Sequence, residues 1–135
     1  MSVGVGVVYL DSSALIKLVF EESETSSLAG FLHAWPTRAS SSLASVEVLR
    51  TAQLVDDGAS TEHARHLLAH VHLIHADDVL LAAATRVAPA TLRALDAIHL
   101  ATALSLGHEL AGMVVYDRRL AGAARLAGLT VWAPS

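Results

Sequence analysis

No cysteine occurs among the 135 residues, which excludes disulfides and thiolate metal sites and fits a reducing, cytoplasmic compartment. Aromatic residues make up only 4% of the chain, and no apolar run approaches the roughly 20 residues that a membrane span needs. The 53% of hydrophobic residues, much of it Ala and Leu, therefore reads as the core of a soluble protein with no membrane association. Basic residues are in deficit, 9 against 13 acidic, for a net charge of −4. A broad positive surface for nucleic acid is thus excluded, and any polyanion must be met by local basic clusters. Met1-Ser2-Val3-Gly4 carries no basic stretch, and the run behind it lacks a small-residue cleavage pattern, so no signal peptide is expected. With no linker, low-complexity tract or convincing repeat, residues 1–135 are expected to form one domain.

The most informative stretch spans residues 6–18. Val7-Val8-Tyr9-Leu10 is an apolar run without polar alternation, as expected of a strand covered on both faces. It stops on Asp11, and Ser12-Ser13 leads into helix formers, so the pattern is strand, tight turn, helix. A second strand over 112–116 likewise ends on an aspartate, Asp117, followed by Arg118-Arg119 and a helical stripe closed by Gly128. Between them the pattern predicts a helix capped by Ser23 and stopped by Pro36, a short strand over 37–40, and a helix over 42–55 with Val48, Leu49, Ala52 and Val55 inward. Asp56-Asp57-Gly58 ends that helix, and a helix capped by Ser60 follows. Next come a strand within 72–76, a helix from Asp77 to about Val87, and a largely apolar helix over 95–106. Thr130-Val131-Trp132 closes the chain as a strand. Strands alternating with helices imply right-handed βαβ crossovers and a mostly parallel sheet covered on both faces.

In such sheets ligand crevices form at the carboxyl ends of strands. Asp11 and Asp117 fall at that edge, each readable as a site carboxylate or as the cap of the helix that follows. Asp96 breaks an apolar helix and Glu47 borders an apolar face, and buried unpaired carboxylates are costly. Lys17, Arg50 and Arg93 are the cations available to pair one acid each. Four acids drawn together repel by roughly 3 kcal/mol per close pair at an effective dielectric of about 20, and a divalent cation resolves that conflict. Hard oxygen donors favour Mg²⁺ or Mn²⁺, which can activate water and polarise a phosphoryl oxygen.

Four segments together resemble the PIN-domain family, and specifically the VapC-type toxic ribonucleases of toxin–antitoxin pairs: Tyr9-Leu10-Asp11-Ser12-Ser13-Ala14, Ser45-Val46-Glu47-Val48-Leu49-Arg50, Leu95-Asp96-Ala97-Ile98-His99-Leu100-Ala101-Thr102-Ala103, and Val115-Tyr116-Asp117-Arg118-Arg119-Leu120. They cover nearly the whole chain in the family's order and spacing. The resemblance implies a three-layer α/β/α sandwich on a four- to five-stranded, mostly parallel sheet, whose acidic pocket binds Mg²⁺ or Mn²⁺ and cuts RNA through a metal-activated water. It implies Asp11 and Asp96 as direct metal ligands, Glu47 and Asp117 completing the pocket, and Ser13 orienting Asp11 or a metal-bound water. Arg118 and Arg119 are expected at RNA phosphates, with Lys17 and Arg50 adding to them, or else as ordinary surface charge. The implied partners are RNA, a cognate antitoxin and a second copy of the chain, for which Leu18, Phe20, Leu28 and Phe31 supply apolar surface that core packing explains equally well.

Other patterns read as structural. His99 is expected to be a satisfied helix residue near the pocket, within reach of a hydrogen bond to one of the carboxylates, and not a metal ligand. His66 and His70 have the i, i+4 spacing that can bind zinc, but with no third ligand in the pattern. Gly4 and Gly6 precede their strand instead of following it, and Ser40-Ser41-Ser42 lacks a nucleophile elbow. The rival readings are an antitoxin-independent processing nuclease, a phosphatase with Asp11 as nucleophile, and a non-catalytic module with a structural cation. The phosphatase reading wants a second aspartate where Ser13 stands.

Overall fold

The computed structural model describes residues 4–55 and 58–135; the first three residues and Asp56-Asp57 lie outside them. Five strands, β1 (Val7–Leu10), β2 (Arg38–Ser41), β3 (His72–Ile74), β4 (Leu110–Val114) and β5 (Val131–Trp132), form one sheet in the order β3-β2-β1-β4-β5. Every pairing is parallel. The crossovers carry α1 (Ser12–Val19), α2 (Thr25–Leu32), α3 (Ser42–Val55), α4 (Gly58–Leu68), α5 (Asp78–Ala84), α6 (Ala94–Leu104) and α7 (Arg118–Leu126).

Strand alternation sorts the core into two halves. Val8, Leu10 and Val114 face one way and pack on Leu15, Leu28, Val48, Ala52, Ala64 and Leu68 from α1 to α4. Tyr9, Met113 and Val115 face the other way, onto Leu100 of α6 and Leu120 and Ala124 of α7. Leu80 and Ala84 of α5 close against Ala97 and Ala101 of α6. This is a three-layer α/β/α sandwich, and the unalternating apolar run of β1 is explained by burial on both faces. The strand order reverses direction between β1 and β4, which is where such sheets open a crevice at their carboxyl edge.

The sequence expectations differ from the structure mainly at element ends. Glu24, not Ser23, stands at the N-cap of α2 and makes no side-chain cap bond; the Thr25 hydroxyl instead takes the Glu22 N–H and donates to the Lys17 carbonyl. α2 stops at Leu32, short of Pro36, where Arg38 satisfies its terminal carbonyls by donating to Leu32 and Trp35. Gly58 opens α4, so Ser60 lies inside the helix and not at its cap. α5 ends at Ala84, tightened by the Thr85 hydroxyl on the Ala82 carbonyl. β4 sits two residues earlier than expected, and Val55 is 53% exposed instead of inward. Leu28 is fully buried, and Leu18, Phe20 and Phe31 pack against the same core, so packing accounts for these four. Among the described residues no helix is long and apolar enough to cross a membrane.

One glycine is fixed by close approach. A Cβ on Gly112 would lie 2.6 Å from the Trp132 ring and 2.8 Å from the Thr130 carbonyl oxygen, where β5 pairs alongside β4. Gly112→Ala should therefore cost about 1–3 kcal/mol and perturb tryptophan emission, read by urea unfolding. An unchanged midpoint and spectrum would contradict this packing.

Candidate active site

Asp11 follows β1 and is 3% exposed. Its Oδ1 accepts from the Ala14 N–H at 3.0 Å and from the Ser13 hydroxyl at 2.7 Å, capping α1. Ser13 also accepts from the Tyr116 N–H at 3.4 Å, which ties the end of β1 to the segment after β4. Burial pushes the Asp11 carboxyl up to about 6, against the opposing pull of Ser13, Ala14 and, only when it is protonated, His99, and the nearby Asp96 charge adds to the rise. Capping and site readings are therefore compatible: Oδ1 holds the helix while Oδ2 lies outside the cap.

Asp117 repeats the arrangement. Its Oδ1 accepts from the Leu120 N–H at 3.0 Å and caps α7, while its Oδ2 lies 3.7 Å from Arg93. The same guanidinium reaches Asp96, in the first turn of α6, at 3.4 Å. Arg93 thus bridges two of the four acids, where the sequence suggested one pairing. Its side chain is 68% exposed, so it holds them through a largely hydrated group of modest strength.

Glu47 projects from α3 on the far side of Asp11. Ser12 donates to its Oε2 at 2.9 Å and His99 Nε2 lies 3.0 Å from its Oε1. Burial raises the Glu47 carboxyl, but the His99 bond (with its charge when protonated), the Ser12 bond and the Arg93 charge outweigh it and hold the group below its ordinary value. His99 is the satisfied residue beside a carboxylate that its place on α6 suggested. Ser12 and the Tyr9 hydroxyl, 2.7 Å from His99 Nδ1, were missed. Alternation in β1 turns Tyr9 toward α6, opposite the Asp96-His99-Thr102 stripe, and that was the available signal.

Lys17 is not directed at these acids. It pairs with Glu22 and Glu24 and lies 4.8 Å over the Tyr116 ring. Arg50 is exposed on α3. Arg118 and Arg119 are exposed and line a groove of about 550 Å³ with Pro89, Thr91 and Leu92. None of the four carboxylates lines it, although Arg118 follows Asp117 in the chain. The His66 and His70 ring centroids lie 4.8 Å apart, the planes tilted by 55°, at the end of α4. Among the described residues no three His, Asp or Glu side chains converge closely enough to hold a metal ion; Asp96 and Asp117 are linked through Arg93, and Asp11 and Glu47 have separate partners.

A strand-edge carboxylate set at a parallel switch point defines a class of α/β hydrolytic sites, and comparison with known proteins narrows it. The family model described as "PIN domain" matches residues 8–126. Ribonuclease VapC46 of Mycobacterium tuberculosis is 45% identical over 129 residues, covering 95% of this chain and 98% of that protein. Ribonuclease VapC47 of the same species is 37% identical over 132 residues, covering 95% and 97%. The chain belongs to the PIN-domain family, among its VapC ribonucleases. Solved structures show the same fold: a toxin–antitoxin complex from Klebsiella pneumoniae (TM-score 0.72, 24% identity, 95% of this chain and 98% of that one) and M. tuberculosis VapC20, described as a sarcin–ricin loop cleaving toxin (TM-score 0.71, 18% identity, 94% and 99%).

A carboxyl whose folded pKa lies above its unfolded value favours folding while protonated. That contribution is full below about pH 4 and is lost as pH rises through about 6. With divalent ions chelated, Asp11→Asn should therefore be more stable than wild type at pH 7.5, by on the order of 1–3 kcal/mol, the gap closing below about pH 4. A less stable variant at pH 7.5 would show that the ionised carboxylate is favourably held.

Proposed function

We propose that the chain, working as one unit over 1–135, is a Mg²⁺- or Mn²⁺-dependent endoribonuclease and the toxic member of a toxin–antitoxin pair. The observation that carries this is the placement of Asp11 and Asp117 at the β1/β4 switch point with Asp96 beside them, in a chain whose curated relatives are named ribonucleases.

The donor set suits a small hard cation. Mg²⁺ typically takes one or two carboxylates and keeps several waters, so it does not need three protein ligands converging on one point. Asp11, penalised by burial without a counter-charge, and Asp96 would hold it, with Glu47 and Asp117 completing the pocket. Such an ion supplies Lewis-acid stabilisation of phosphoryl charge and lowers the pKa of water. The residues do the rest. Ser13 orients Asp11, Glu47 stays ionised as a proton acceptor at the rim, and Arg118 and Arg119 receive phosphates in the groove they line. Ser13, bonded to Asp11, stands where a phosphatase would want its second aspartate, which leaves hydrolysis by water as the favoured chemistry.

A cognate antitoxin is the expected protein partner, by likeness to the K. pneumoniae complex. A second copy of the chain is also expected. Val79, Leu81 and Leu104, exposed on the face formed by α5 and α6, are apolar surface available to either.

The purified chain should cut total cellular RNA only with Mg²⁺ or Mn²⁺, and Asp11→Ala and Asp96→Ala, folded by circular dichroism, should be inactive. Equal cleavage by all three would remove the reading. Arg118→Ala and Arg119→Ala should each raise KM severalfold at unchanged kcat and lower the salt slope of RNA binding by about 1. Unchanged KM and slope would return both arginines to ordinary surface charge.

A further inference from the structure

His99 is 2% exposed and sits at the centre of a four-residue chain of which the hydrolytic scheme uses only Glu47. Its Nδ1 lies 2.7 Å from the Tyr9 hydroxyl; its Nε2 lies 3.0 Å from Glu47 Oε1 and 3.2 Å from Ser12 Oγ. The proton positions follow from elimination. Ser12 gives its one hydroxyl hydrogen to Glu47 Oε2, so toward His99 its oxygen can only accept, and Nε2 must carry hydrogen. At the other end, burial keeps the fully enclosed Tyr9 hydroxyl protonated, and a neutral imidazole with hydrogen on Nε2 offers Nδ1 as the acceptor. In the neutral ring the bare Nδ1 can only accept, so the Tyr9 hydroxyl donating to it favours this tautomer, and the tautomer supplies the donor that Glu47 receives.

Helix packing does not require this. The other residues that α6 buries are Ala97, Leu100, Ala101, Thr102 and Ala103, and an apolar side chain at position 99 would avoid the cost of burying polar groups. What the polar chain accomplishes is to fix Glu47. One carboxylate oxygen is held from α1 by Ser12 and the other from α6 by His99, so its plane is set by two elements at once. Tyr9, in turn, is anchored in β1 two residues before Asp11. The strand that places Asp11 thus also places Glu47.

We infer that His99, with its tautomer set by the Tyr9 hydroxyl, is a positioning residue that presents Glu47 to the reacting phosphodiester. The role rests on the nuclease reading above. It acts through Glu47 and not on RNA, so it belongs to kcat and not to substrate binding. His99→Leu keeps bulk and loses both bonds; His99→Gln keeps an amide N–H near the position of Nε2; Tyr9→Phe removes a single oxygen.

Two measurements test it. In the first, nitrogen NMR of histidine-labelled, metal-free wild type should show His99 with hydrogen on Nε2 and a bare Nδ1, and Tyr9→Phe should lose that single tautomer. In the second, cleavage kinetics with Mn²⁺ should show His99→Leu and Tyr9→Phe losing about tenfold to a hundredfold in kcat, the range for a bond to a charged group, with KM for RNA within about twofold. His99→Gln should recover much of that loss. In a Glu47→Gln background, His99→Leu should cost nothing further. Hydrogen on Nδ1, wild-type kcat in folded variants, or an equal loss in the Glu47→Gln background would each overturn the role. If His99→Leu does not fold, Tyr9→Phe decides. Should wild type fail to cut RNA, the nuclease reading falls and takes this role with it; should wild type cut and Asp11→Ala not, a failure in the His99 series concerns this role alone.

Discussion

The rest of this molecule depends on how acids are gathered at one edge of a parallel sheet without cations beneath them. Two adjacent strands deliver Asp11 and Asp117 to the same edge, and α6 brings Asp96 beside them. Mutual repulsion is limited by giving each strand-end aspartate a structural task. Oδ1 accepts the first free N–H groups of the following helix, whose positive end favours a carboxylate there. Asp96 and Asp117 share Arg93, and Glu47 is held by Ser12 and His99. Only Asp11 remains without a cation and deeply buried, which is why its carboxyl rises. The fold thus tolerates the cost of one buried carboxylate at this edge.

The surroundings are arranged in keeping with this. The tight α1–α4 core on one face and the α6–α7 core on the other fix the strands rigidly. The exposed arginines sit outside that core, lining a groove. In this chain of net negative charge Arg118 and Arg119 stay exposed, whereas Lys17 is engaged by Glu22 and Glu24.

Much of this was legible in the sequence, for identifiable reasons. β1 was readable because a strand buried on both faces needs consecutive apolar residues, and α3 matched over Ser42–Val55 because its period and its boundaries were both marked. Asp11 and Asp117 stood out as abrupt ends of such runs. Helix ends were less legible: α2 has no side-chain cap, its first residue Thr25 bonding back to the Glu22 N–H and the Lys17 carbonyl, and α5 ends in local carbonyl bonding, neither of which has a unique residue pattern. Long-range pairings were not legible at all. Tyr9 and His99 are ninety positions apart, and Arg93 reaches Asp117 only because α6 and α7 pack together. The His99 side chain was visible as a polar interruption, but its partner lies on a strand whose other residues are all apolar.

The most direct measurement of the central claim is Mn²⁺ binding followed by electron paramagnetic resonance, with Mg²⁺ as competitor. The account expects wild type to hold Mn²⁺ that Mg²⁺ displaces, Asp11→Asn and Asp96→Asn to lose it, and Asp77→Asn, an N-cap on another helix, to retain it. Equal Mn²⁺ binding by wild type, Asp11→Asn and Asp96→Asn would contradict the assignment of the acidic edge as the metal site.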